Sequence, residues 1–194
     1  MTEQDILKLL QPETDLERRL ISQPAMLEGL QWGEPRYGHP EGKVVYHIVD
    51  IFENIRCLSP ALNSETYQQM RLIALLHDSF KYTESKTFPR DWTQHHGILA
   101  RQFAEDFIND KCILDVVELH DEAYYCWRLA VLDDEIDQSN ARFQWLIKRC
   151  GYCFQLFYTF FRCDTATGDK TQAPVKWFEK KELNIQKVRF QYTI

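Results

Sequence analysis

The sequence predicts an all-α fold in a single domain, and three observations carry that expectation. Apolar residues return at helical spacing in one segment after another. A chain of 194 residues that is 44% hydrophobic and 13% aromatic can bury one sizeable core. No internal repeat or low-complexity tract divides it. The pattern changes only after Pro174, where Val188, Phe190, Tyr192 and Ile194 alternate and predict a short C-terminal strand.

Taken in order, residues 1–34 predict short helices broken at Pro12 and Pro24. Thr14 and Glu17 stand at capping-box spacing ahead of Leu20 and Ile21. This part is expected to pack on the core or to act as a lid. Three glycines and two prolines in residues 33–42 predict an ordered loop. In the run VVYHIVDIFENIRCL, Val44, His47, Ile48, Ile51, Ile55 and Leu58 share one helical face. Met70, Ile73, Ala74 and His77 form the next stripe, with Asp78 beside it. Residues 85–94, with Pro89, predict a second loop. His96 then leads into Leu99, Ala100, Phe103 and Phe107, and His120 follows Ile113, Val116 and Val117. A polar, acidic connection is expected over residues 133–140. Cys153, Phe157, Phe160 and Asp164 share the last stripe.

These stripes aim His47, His77, Asp78, His96, His120 and Asp164 at the core. A lone histidine on an apolar face is usually a hydrogen-bonded core residue, but that account weakens when separate helices repeat the pattern. Buried polar side chains are costly unless satisfied, and a shared divalent cation would satisfy all six. Mixed nitrogen and oxygen donors suit manganese, iron, cobalt or zinc, with magnesium a further choice, better than calcium.

In this order the residues resemble the HD-domain superfamily of metal-dependent phosphohydrolases: a histidine, a His-Asp doublet on a helix, and a distant aspartate. His47, His77-Asp78 and Asp164 match that pattern, and Lys81 in ALLHDSFK matches the lysine often found after the doublet. His96 and His120 match the two further histidines of binuclear members. HPEGKVVYH and RCDTATGDK are similar to the start and end of the HD domain of bacterial tRNA nucleotidyltransferases. The resemblance spans roughly residues 35–170, which leaves 1–34 as N-terminal helices and 171–194 as an extension. It selects His96 over His95, because Ala100 and Ala104 follow His96 at the family's spacing. In the family a small pair such as Ile-Gly stands where this chain has Ser79-Phe80, which predicts a narrower pocket floor.

The resemblance implies an HD-type helical bundle holding one or two divalent ions per chain. His47, His77, Asp78 and Asp164 would hold the first ion; Asp78 would bridge to a second, completed by His96 and His120. The implied activity is hydrolysis of a nucleotide phosphomonoester or phosphodiester by a metal-activated hydroxide, with Asp78 and Lys81 as catalytic residues. Lys81, Arg36, His39, His95 and Arg128 are candidates for binding the substrate. Arg128 is placed among them because it lies one helical turn beyond Tyr124 and two beyond His120. Asp121 and Glu122 are expected to orient His120 as acceptors. Similar ligand sets also serve di-iron oxygenases that cleave C–C or C–P bonds, and a third reading is a non-catalytic nucleotide-binding regulatory domain, against which the complete ligand set argues.

A net charge of −6 argues against a broad nucleic-acid surface. No apolar run approaches the roughly 18 residues a membrane span needs, and the opening MTEQD lacks the parts of a signal peptide, so a cytoplasmic setting is expected. The six cysteines sit mostly in apolar helical segments, as reduced core thiols do, and this includes the Cys150–Cys153 spacing.

Overall fold

The computed structural model describes residues 1–58, 61–85, 87–181 and 183–190. Among these, every regular element is helical: α1 (Glu3–Leu10), α2 (Asp15–Ile21), α3 (Pro24–Gln31), α4 (Val44–Leu58), α5 (Ser64–Leu76), α6 (His96–Ala104), α7 (Lys111–Leu119), α8 (Glu122–Val131), α9 (Ile136–Cys150), α10 (Phe154–Thr165) and α11 (Ala173–Phe178). Short 3-10 turns at Trp92–Gln94 and Gly151–Cys153 precede α6 and α10. None of the helices is long and apolar enough to cross a membrane.

Helix α5 is the centre of the bundle, packed on α2, α4, α6, α7 and α10. Its last turns are therefore buried on every side, Met70 and Leu72–Leu76 being apolar and Arg71 the one charged residue among them. Asn63 starts it by accepting the Thr66 amide at 2.7 Å. The His77-Asp78 doublet leaves this helix at its C-terminal end, in the middle of the molecule.

The N-terminal helices brace α5. Arg71, buried on α5, makes a two-pronged ion pair with Glu17 at 2.8 and 2.9 Å and stacks 3.9 Å over the Phe52 ring. Thr14 caps α2 as its sequence position predicts, accepting the Glu17 amide at 3.1 Å. Glu17 does not return the bond to Thr14; its carboxylate takes the Glu13 amide at 2.7 Å, because Arg71 has drawn it inward. Pro24 opens α3 at its first position, where the missing N–H is harmless. Gly29 on α3 is required by contact: a Cβ there would lie 1.6 Å from the Ser79 carbonyl oxygen. These helices pack as expected, beneath the doublet turn.

The chain departs from expectation in three stretches. Residues 136–140 are the first turn of α9 and not part of a polar connection. Gly151–Cys153 interrupts the helical run as a 3-10 turn, although the six cysteines are free, as expected. Residues 183–190 form no strand: with no neighbouring strand to pair with, the Gln186 backbone bonds the Gln155 side chain, at 3.0 and 2.7 Å, and Val188 and Phe190 lean on the core. Tyr192 and Ile194 lie outside the described residues.

Candidate metal centre

All six predicted ligands meet at one point in the core. His47 is inside α4, Asp164 inside α10, His96 begins α6, and His77 and His120 cap the C-terminal ends of α5 and α7. The close approach of α6 and α7 depends on Gly97, where a Cβ would stand 2.6 Å from the Glu118 carbonyl oxygen. Two helix C-termini thus bring their negative ends to the site, a setting that favours a cation.

Three of the four imidazoles are oriented by a hydrogen bond at Nδ1. His77 Nδ1 donates to the Ala74 carbonyl and His120 Nδ1 to the Val117 carbonyl, both at 2.9 Å and both three residues back. His96 Nδ1 faces Glu84 Oε2 at 3.0 Å and His47 Nδ1 faces Glu41 Oε1 at 3.2 Å, the latter outside good hydrogen-bond geometry. A carbonyl or carboxylate can only accept, so Nδ1 of His77, His96 and His120 carries a proton, whereas His47 has its hydrogen bond at Nε2, 2.9 Å from Asp164 Oδ1, where a bound metal would take the place of that proton. Carboxylate or carbonyl support of this kind is the usual setting of a metal-bound histidine. Glu41 and Glu84 lie on loops, with no periodic pattern in the sequence to announce them.

The inward atoms form two groups divided by one carboxylate. Asp78 Oδ2 stands 3.8 Å from His47 Nε2 and 3.5 Å from His77 Nε2. Asp164 Oδ1 closes that group at 2.9 and 3.9 Å from the same nitrogens. Asp78 Oδ1 faces the other way, 3.4 Å from His96 Nε2 and 3.5 Å from His120 Nε2. Donors about 2.1 Å from a tetrahedral ion are about 3.4 Å apart, so both groups have the spacing of a coordination shell.

The buried atoms fit such ions chemically. His77 Nε2 and Asp78 Oδ1 are buried with no hydrogen-bond partner among the described residues. His96 Nε2 and His120 Nε2 are 3.2 Å apart, close enough for one ion to take both; against burial, Asp121 and Asp78 push His120 up to about 9, so a metal there would displace a proton from its Nε2. Burial and the neighbouring imidazoles push His77 down to about 3, which keeps it neutral. Burial alone would raise Asp78, but the Lys81 ammonium beside it holds it well below the carboxylate range; Lys170 and His47 do the same for Asp164. Glu41 and Glu84 are likewise held down to about 2 against burial, by His47 and by His96 with Arg90.

Beside the two groups opens a cavity of about 470 Å³, reaching Asp78, His120, Asp121 and Asp164 at its base. Arg36, Lys81 and Lys170 line it, with Tyr37, Tyr124, Trp127 and Phe161 as a largely aromatic wall. Lys81 Nζ is 2.6 Å from Asp78 Oδ2 and Lys170 Nζ 2.8 Å from Asp164 Oδ1. Lys170, six residues beyond Asp164 in the segment already singled out, was not among the predicted binding residues. Two loops make the rim: the Gly38 amide donates to Asp169 at 2.6 Å, and Arg36 pairs with His39 in an isolated bridge.

Of the residues expected to bind substrate, Arg36, His39 and Lys81 line this cavity. Arg128 does not: it is half exposed and faces Asp133 at 3.4 Å, because the chain turns at His120-Asp121 and the helical count from His120 does not carry into α8. His95 is not in this cavity either. It accepts the Gly97 amide at 3.1 Å, faces the Tyr125 hydroxyl at 3.2 Å, and lines a separate cavity of about 330 Å³ with Trp92, Arg142 and Trp145. Ser79 and Phe80 do not reach the cavity, so they do not narrow its floor; Ser79 bonds the Leu75 carbonyl and Phe80 packs on Phe103. Glu122 turns away to Arg142, at 2.6 and 2.8 Å, and does not orient His120. Asp121 lies on the Nε2 side of His120, 3.7 Å away, and not on the Nδ1 side that an orienting acceptor would occupy.

Compared with protein-family models, curated proteins and solved structures, the chain matches none.

Proposed function

We propose that this protein is a metal-dependent phosphohydrolase of the HD type, acting on a phosphorylated small molecule, a nucleotide monoester or diester. One observation carries the reading: a buried carboxylate, Asp78, turns one oxygen to each of two histidine pairs, at the base of a cavity lined by three cations. His47, His77, Asp78 and Asp164 would hold one divalent ion; Asp78, His96 and His120 would hold a second. When bound, such ions supply hydroxide near neutral pH and neutralise charge on a phosphoryl oxygen.

The chain's own groups account for the rest. Lys81 is held protonated, burial notwithstanding, by Asp78 and Asp121, and it presents a fixed positive charge to phosphate oxygens beside the ligands. Lys170 does so from the Asp164 side, and Arg36 from the rim, where its planar fork suits a phosphate edge. Tyr124, Trp127 and Phe161 offer ring surface to the organic part of the substrate and exclude water from it. The unpaired cysteines are consistent with a cytoplasmic setting.

The test is metal analysis of anaerobically purified protein together with a panel of phosphomonoesters and phosphodiesters. Up to two ions per chain with hydrolysis that chelation abolishes is the expected result. Two irons per chain, no hydrolysis and oxygen uptake with a candidate substrate would replace this reading with the oxygenase.

A further inference from the structure

The two helix ends that carry His77 and His120 are built alike. In each, the capping histidine is in right-handed helical backbone, bonds the carbonyl three residues back at 2.9 Å and is followed directly by aspartate. At the first end that aspartate is Asp78. At the second it is Asp121, whose Oδ2 stands 3.5 Å from His96 Nε2 and 3.7 Å from His120 Nε2.

These lengths are those of neighbouring donors around one ion. Among Asp78 Oδ1, His96 Nε2, His120 Nε2 and Asp121 Oδ2, five of the six separations are 3.2, 3.4, 3.5, 3.5 and 3.7 Å; the sixth, between the two carboxylates, is longer, so Asp121 would have to move toward an ion that Asp78, His96 and His120 already surround. A tetrahedral shell at about 2.1 Å has edges of about 3.4 Å. The first group already has this composition, two histidines, one oxygen of Asp78 and a terminal aspartate, Asp164. The competing role for Asp121, an acceptor for His95, is poorly served: their separation is 3.6 Å, while His95 has the Tyr125 hydroxyl nearer, at 3.2 Å.

Resting on the binuclear reading above, we infer that Asp121 is a terminal carboxylate ligand of the second ion, which gives that ion four protein donors in place of three. The two halves of the centre then match, each with two histidines, one Asp78 oxygen and its own aspartate. A fourth protein donor raises the affinity of the second ion and leaves it fewer positions for a chelating substrate.

The test is calorimetric titration of chelator-treated full-length protein with Co²⁺, with far-ultraviolet circular dichroism as the folding control. Wild type takes up two equivalents. Asp121→Asn, nearly isosteric, binds the first as before and the second at least about tenfold more weakly. Glu122→Gln, altering the adjacent carboxylate that faces Arg142, keeps both. If Asp121→Asn does not fold, Asp121→Cys decides: a ligating thiolate adds a sulfur-to-cobalt charge-transfer band over the wild-type spectrum, and a band no different from wild type overturns the inference. Unchanged affinity for the second equivalent in folded Asp121→Asn overturns it, as does loss of the first equivalent before the second. Failure of wild type to bind Co²⁺ at all would defeat the metal reading itself, a result distinct from either.

Discussion

Removing divalent ions should lower the melting temperature by an amount that the site's buried atoms allow to be worked out. Without an ion, His77 Nε2 and Asp78 Oδ1 are buried and unpaired, and each such atom costs roughly 1–3 kcal/mol of desolvation that nothing returns. An ion that binds only the folded chain relieves this, a gain contained in its affinity, and its whole effect on stability is set by mass action, about 2.7 kcal/mol at a free concentration one hundredfold above its dissociation constant. For a domain of this length 1 kcal/mol moves the melting temperature by roughly 2–4 °C, so the expected rise is about 5–11 °C per ion. The assay is differential scanning calorimetry of chelator-treated protein, titrated separately with manganese, cobalt, zinc, magnesium and, anaerobically, ferrous iron. Asp78→Asn, which weakens the carboxylate shared by both groups, should lose most of the shift. A melting temperature unmoved by every ion at millimolar concentration, or a full shift in Asp78→Asn, would refute the reasoning.

Lys81→Met should reduce kcat on phosphate esters by roughly 10²-fold, the scale of losing one charge-stabilising donor, while metal content stays at the wild-type level; a rate within twofold of wild type would remove Lys81 from catalysis. Acid should destabilise the metal-free protein through Glu84 and Glu41. Each carboxyl is held down to about 2 in the fold against an ordinary value of 4.5, so its contribution is full above about 4.5 and is lost as pH falls toward 2. Urea denaturation between pH 6 and 3 should show that slope, and Glu84→Gln should flatten it; an unchanged slope in that variant would exclude Glu84 as its source.

The ligands were legible because their signal is local. A helix repeats every 3.6 residues, so Ile48, Ile51 and Ile55 determine which way His47 points, and Ile73 and Ala74 do the same for His77. Extrapolating that count across a break failed at Arg128, because the turn at His120-Asp121 resets the phase. Alternation misled at Val188 and Phe190 for a related reason: a strand needs a partner, and none packs there among the described residues.

The sequence by itself determined an all-helical chain whose core-facing stripes carry four histidines and two aspartates, because burial of each helix face is encoded within a few turns. Only the tertiary structure decided how those groups divide. His47 and Asp164 meet across 117 positions of sequence, and Asp78 turns one oxygen to each histidine pair. Glu41 and Glu84 acquire their roles behind His47 and His96 only after loops bring them there, as Lys170 does over Asp164. Carboxylates and ammonium groups on loops have no periodicity to fix their direction, so their partners are set by which helices pack together, and at this site by glycines that let backbones approach at Ser79 and Glu118.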